Sequence, residues 1–178
     1  MTAVVQAKLP FAEREITITR VFDAPRALVF AAWTDSRHLA QWWGPRGFTN
    51  PVCEIEPRVG GAIRIHMRGP DAVAHKMKGE VREIVPPERL VFTNIAVDDA
   101  GNHIIEGFTT VTFADEHGKT KLTLHTRGAA VVEYAAAFIK GMEAGWTQSL
   151  ERLQALMTEG SQDTELTAKV VRSLRGFT

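Results

Sequence analysis

The sequence predicts an α+β fold, with one antiparallel sheet flanked in sequence by helices. Three observations carry that prediction. From about residue 50 to Arg127, short β-like runs are separated by turn signals, the pattern of sequential hairpins. Helical patterns bracket this block instead of alternating with its runs, which argues against a parallel βαβ architecture. The last helical stretch, Val132 to Met157, is long, rich in Ala, Glu and Leu, and free of proline.

Taken in order, Glu15 to Phe22 alternates Ile16, Ile18 and Arg20 with Thr17, Thr19 and Val21, a β-branched pattern suited to a first strand. Asp23 is placed to cap a helix with Pro25 just inside it, and Ala27, Leu28, Phe30, Ala31 and Trp33 carry helical spacing to Thr34. Ser36 restarts the pattern as a second cap, and Leu39, Trp42 and Trp43 follow before Gly44-Pro45 ends it. Six β-like runs come next: Val52 to Pro57, Ala62 to Arg68, Val73 to Ile84, Arg89 to Val97, His103 to Phe113 and Lys119 to Arg127. Gly60-Gly61, Gly69-Pro70-Asp71, Pro86-Pro87, Asp98 to Gly101 and Glu116-His117-Gly118 supply the turns between them. In the closing helix Phe138, Met142, Trp146, Leu150, Leu153 and Met157 recur at three- and four-residue steps, so one apolar face must lie on something. Gly141 and Gly145 within it suggest close approach of another backbone or of a ligand.

The chain's 178 residues suit one domain with short appendages. Its 44% hydrophobic and 24% charged content is that of an ordinary globular chain and not of a disordered one. Lys plus Arg (21) balance Asp plus Glu (21), so no global positive field gathers nucleic acid or anionic lipid. The longest apolar run, Ala27 to Trp33, falls well short of the roughly 20 residues a bilayer span needs. Met1 to Phe11 lacks the basic and long apolar regions of a secretory signal, so a cytoplasmic location is expected. Cys53 stands alone, which excludes an internal disulfide, and no Cys/His cluster has zinc-ligand spacing. Gly160 to Thr178 read as a tail in which Val170, Val171 and Leu174 lie among Lys169, Arg172 and Arg175. A short helix, docking on the domain, pairing with a second copy as a homodimer, and disorder all remain open for it.

No catalytic signature stands out. There is no Gly-x-Ser-x-Gly elbow, Walker loop, dinucleotide fingerprint or His-Glu-x-x-His, and no catalytic residue, cofactor or metal is assigned. His66 and His75 flank a turn and fit an exposed pair better than a general base or metal site. Cys53, beside Val52 and Glu54, reads as a buried, inert thiol. Arg64, Arg68 and Arg82 fit a solvated sheet face. More informative is the excess of large aromatics and methionines: Phe30, Trp33, Trp42, Trp43 and Phe48 early, Met67, Met77 and Phe92 on strands, and Phe138, Met142 and Trp146 on the helix. They fill a core or, where a sheet curves around the helix, line an apolar cavity. Asn94 shares its strand's apolar face with Leu90 and Phe92, where an amide needs a partner or a ligand. Thr109 and Glu83 are weaker candidates of the same kind.

Several segments together resemble a known family. They are Asp23-Ala24-Pro25 with Val29-Phe30 and Trp33-Thr34, Trp42-Trp43-Gly44-Pro45 followed by Gly47-Phe48-Thr49, the Gly60-Gly61 turn, Met67 to Asp71, Pro86 to Phe92, and Gly145-Trp146 with Ser149-Leu150 and Leu153. Over residues 14 to 158 the chain resembles the activator of heat shock protein 90 ATPase homologue family, of the START-like (SRPBCC) superfamily of helix-grip folds. That leaves residues 1–13 as an N-terminal segment and 159–178 as a C-terminal tail.

The resemblance implies a Bet v-like architecture, a curved antiparallel sheet wrapped around the long C-terminal helix with a pocket between them. Carried onto this chain, the pocket draws on Ile65, Met67, Phe92, Asn94, Thr109, Val111, Phe138, Met142 and Trp146, with Trp42, Trp43 and Phe48 near the mouth and Glu83 as a further polar candidate. Related sequences often carry an aromatic where Asn94 stands, so the cavity here is expected to be larger and more polar. The expected function is binding of an apolar or amphipathic small molecule, lipid-like or polyketide-like, oriented by Asn94, Thr109 and the Trp146 indole N–H. One alternative is an enzyme resembling polyketide cyclases or hydrolases, with Glu83, Asn94 or His75 as its polar groups. Another is a co-chaperone that docks on a heat shock protein 90 type ATPase.

Overall fold

The structure, a computed structural model, describes residues 9–160. Seven strands form one curved antiparallel sheet: β1 (Ala12–Phe22), β2 (Thr49–Ile55), β3 (Ala62–Arg68), β4 (Ala74–Val85), β5 (Arg89–Val97), β6 (His103–Glu116) and β7 (Lys119–Ala130). Their spatial order is β1-β7-β6-β5-β4-β3-β2. Helices α1 (Arg26–Thr34) and α2 (Ser36–Trp42) follow β1. After β7 come a 3-10 turn (Glu133–Ala135), α3 (Ala136–Lys140) and α4 (Met142–Gly160). The order of strand, two short helices, six strands and closing helix is the expected one. The expectations for the tail from residue 161 onward fall outside the described residues. Among the described residues no helix is long and apolar enough to cross a membrane.

From β2 to β7 each strand pairs with the next, as sequential hairpins require. β1 instead pairs with β7, from Ala12 opposite Ala130 to Phe22 opposite Thr120. At the β2–β3 turn Gly61 leaves the Glu56 carbonyl oxygen 2.0 Å from where a Cβ would stand, so only glycine fits there.

Three local expectations are corrected. Pro25, not Asp23, is the residue preceding α1, in an extended conformation that its ring favours and without a side-chain cap. Asp35, not Ser36, caps α2, its carboxylate accepting from the N–H groups of Arg37 and His38. The Ser36 hydroxyl is used elsewhere, accepting from the Ile55 N–H at 3.0 Å and tying α2 to β2. The closing helix is also not continuous. It breaks at Gly141, which ends α3 with its N–H directed at the carbonyls of Ala137 and Ile139, before α4 begins. The break lets α3 lie over β1 and β7 while α4 runs on against α1, α2 and β1.

The main core lies between the concave sheet face and the helices. Leu150, Leu153 and Met157 of α4 meet Phe30 and Trp33 of α1 and Ile65, Val81, Leu90, Val111, Phe113, Leu122 and Leu124 of the sheet. Each such burial contributes about 1.5–3 kcal/mol before entropy is counted.

Candidate functional site

Burial along the apolar stripe of the closing segment is graded. Leu150, Leu153 and Met157 are fully covered, Met142 and Trp146 are half-buried, and Phe138 is exposed. The helix therefore seals the sheet at its C-terminal end and stands off it at the other, leaving a groove of about 380 Å³. Its walls are Met67, His75 and Met77 of β3 and β4, Asn94 and Ala96 of β5, Ile105 and Gly128 of β6 and β7, the 43–48 loop, and the inner side of the helical segment from Ala137 to Ser149. A wider depression of about 520 Å³ on the outer sheet face, around Leu9, Phe108, Arg127 and Val131, is crossed by the Glu13–Arg127 ion pair. The groove is the more apolar of the two and is framed by both helix and sheet, the arrangement typical of small-molecule sites.

Of the expected pocket residues, Trp43, Phe48, Met67, Asn94, Phe138, Met142 and Trp146 line the groove. Ile65, Phe92 and Val111 do not; they face the right way but lie deeper, inside the packed core. Trp42 is likewise fully buried and not at a mouth, its indole N–H donating to the Ala32 carbonyl at 2.9 Å. Thr109 sits behind Asn94, its hydroxyl 2.8 Å from Asn94 Oδ1 and 2.8 Å from the Thr126 hydroxyl.

Glu83 is on the opposite face. The expectation assumed unbroken alternation from the buried Val81. In the structure Val81 pairs with Phe92 but Glu83 pairs with Val91, so one extra residue bulges between them. The bulge reverses the facing of the strand: Ile84, not Glu83, returns to the core, and Glu83 forms an ion pair with Arg89 at 3.1 Å. His66 and His75 also part company. His66 pairs with Lys76 and Met67 with His75, so the two imidazoles occupy opposite faces. His75 stands at the groove mouth, its ring centroid 5.8 Å from Phe48 and 6.0 Å from Phe138. Burial and the Arg64 and Lys76 charges lower the pKa of His66 on the other side.

The groove is backed by an aromatic cluster. Trp146 stacks on Trp33 with centroids 6.2 Å apart and planes 19° from parallel, and meets Trp43 edge-on at 5.2 Å. Trp33 also contacts Trp42, Phe92 and Phe113, and its buried indole N–H has no hydrogen-bond partner among the described residues.

Two features were not read from sequence. Gly107 and Gly128 pair with each other across β6 and β7, and Gly107 also pairs with Asn94, so the sheet beside Asn94 is bare backbone. Glycines inside strand runs are the signal that points to such a dent. The second is Arg152, whose guanidinium donates to the carbonyls of Gln41, Trp43, Gly44 and Pro45, holding the loop that forms one wall. Burial lowers its pKa.

Comparison with known proteins agrees with this architecture. Residues 23–158 match the family model described as activator of Hsp90 ATPase homolog 1-like protein. The chain belongs to that family. A solved protein of Chromobacterium violaceum is 32% identical, with a TM-score of 0.67 over 80% of this chain and 96% of the other. A protein of Silicibacter pomeroyi bearing the family's name is 26% identical, with a TM-score of 0.68 over 82% and 98%. A solution structure from Arthrobacter aurescens is 26% identical, with a TM-score of 0.72 over 88% and 93%. No curated protein matches the sequence. In this member of the Hsp90 ATPase activator homologue family, Cys53 packs against the core, and burial together with Glu54 pushes its thiol up to about 12. Arg64 is engaged with Glu54 on the outer face and Arg82 with Glu80.

Proposed function

We propose that the groove binds an apolar or amphipathic small molecule, lipid-like or polyketide-like. The observation that supports this best is the gradation along α4, where an apolar stripe that is sealed at Leu150 opens at Trp146 and Met142 into a groove walled by aromatic and methionine side chains. Such walls gain about 25 cal/mol for each Å² of ligand surface removed from water. Membership of a family whose proteins commonly bind hydrophobic ligands agrees with it.

The enzymatic alternative is weakened by the outward placement of Glu83, which leaves His75 and Asn94 as its polar groups at the groove. Native mass spectrometry of gently purified protein, compared with the denatured mass, tests the proposal. An added mass that disappears on denaturation supports a bound ligand. A bare mass, together with no response of the Trp146 indole signal to 2-acetylnaphthalene, rejects it.

A further inference from the structure

We propose that Asn94 acts as a fixed hydrogen-bond donor inside the groove, so that the groove selects apolar molecules carrying one acceptor oxygen at that depth. The inference deepens the binding reading above and rests on it. Which end of the Asn94 amide faces the groove is decided by the two threonines behind it. Thr126 and Thr109 are both fully buried, and they pair directly across β6 and β7. Among the described residues, the Thr126 hydroxyl bonds only to the Thr109 hydroxyl, at 2.8 Å, and Thr109 bonds to Thr126 and to the Asn94 amide at 2.8 Å.

Each hydroxyl carries one proton. If Thr126 donates to Thr109 and Thr109 donates to Asn94 Oδ1, both protons are used. If the amide is turned so that its nitrogen meets Thr109, one hydroxyl proton of the pair is left without an acceptor among the described residues, in a fully buried position. Buried donors are very rarely left so. Proton counting therefore assigns the oxygen to the threonines and the nitrogen to the other side.

On that other side the nitrogen finds no acceptor among the described residues. It lies over Gly107, where a Cβ would stand only 2.6 Å from it, so the glycine is what gives the amide its place. The surrounding groove wall is Met77, Ala96, Met142 and Trp146, and no carboxylate lines it among the described residues. Two N–H groups held rigidly in an apolar setting reward a carbonyl, ether or hydroxyl oxygen on the occupant and penalise one that lacks it.

A matched pair of probes tests this: 2-acetylnaphthalene, which carries the acceptor, and 2-isopropenylnaphthalene, its near-isostere without it. Dissociation constants for both are measured by NMR titration on the whole protein and on Asn94→Leu. The preference for the ketone, expressed as the ratio of the two constants, is expected to fall about five- to tenfold in Asn94→Leu. The Asn94 side-chain NH2 signals of the unmodified protein are expected to move with the ketone and not with the hydrocarbon. Thr109→Val, which frees the amide to turn, is expected to lose part of the preference while retaining Asn94. It decides the matter, with the NH2 signals, if Asn94→Leu does not fold. An unchanged ratio with the hydrocarbon still bound overturns the donor role and leaves the groove reading standing. Failure of both probes to bind or to move the Trp146 indole signal overturns the donor role, and with a bare native mass it overturns the groove reading as well.

Discussion

Arg152 of α4 donates from Nη1 to the carbonyl oxygen of Trp43 at 2.9 Å, and the same guanidinium reaches the carbonyls of Gln41, Gly44 and Pro45. These oxygens belong to the C-terminal end of α2 and the loop after it, where the last carbonyls of a helix lack intrahelical partners and carry partial negative charge. Arg152 shares the end of α2 with Asn50, whose amide donates to the carbonyls of Ala40 and Trp43, and it pins the loop against α4. Arg152→Ala is expected to lower stability by about 2 kcal/mol in urea unfolding, the scale of hydrogen bonds to a charged donor left unmade. Arg152→Lys is expected to recover less than half, because an ammonium cannot span the fork. A loss below about 0.5 kcal/mol for the alanine variant would place the anchoring elsewhere.

Trp33 and Trp146 stack on each other but are buried to different degrees, Trp33 at 1% exposure and Trp146 half-buried at the groove. Trp33→Ala opens a closed cavity and is expected to cost about 3–5 kcal/mol. Trp146→Ala enlarges a groove already in contact with solvent, and about 1–2 kcal/mol is expected, since the transfer contribution is partial and little closed cavity remains. Paired urea titrations measure both. The reverse order would make Trp146 the wedge of the core.

Because the β-bulge turns Glu83 to the outer face, Glu83→Gln is expected to leave 2-acetylnaphthalene affinity unchanged within measurement error. Its ion pair with Arg89 is substantially exposed, so a stability change under about 1 kcal/mol is expected. Weakened probe binding in NMR titration would return Glu83 to the groove.

The Cys53 thiol, expected to be buried, is half-buried, packed against the core from β2. Its ordinary value near 9.0 is raised to about 12 by burial and the neighbouring Glu54. Between those two values the folded chain keeps a proton that the unfolded chain releases, so stability is expected to fall as pH rises through that window and to be unaffected by this group below it. At pH 8.5 iodoacetamide is expected to alkylate the native protein far more slowly than the urea-unfolded chain. Equal rates would show an accessible thiolate.

Much of the architecture was legible because it is written in local periodicity. Ile63, Ile65 and Met67 alternating with Arg64, His66 and Arg68 required a half-buried strand, and the turn residues between runs required hairpins. The same reasoning failed where one residue interrupted the period. The extra residue between Val81 and Glu83 is invisible to a two-residue alternation, and Gly141 breaks a helix whose flanking residues all favour it. Within the site, Asn94 was legible as a polar group on an apolar face, whereas Arg152 was not, since its partners are backbone carbonyls more than 100 positions away.

By itself the sequence determined the number and order of the strands and of the two early helices, the inward face of most strands and the apolar stripe of the closing helical segment, because those depend on neighbours two to four residues apart. Only the tertiary structure decided where that stripe stops being core and becomes groove. That boundary, between Leu150 and Trp146, depends on how far the curved sheet stands from α4 at each point, to which Gly128, where a Cβ would press on Met142 and Ile139, and the Arg152-held loop contribute from separate parts of the chain.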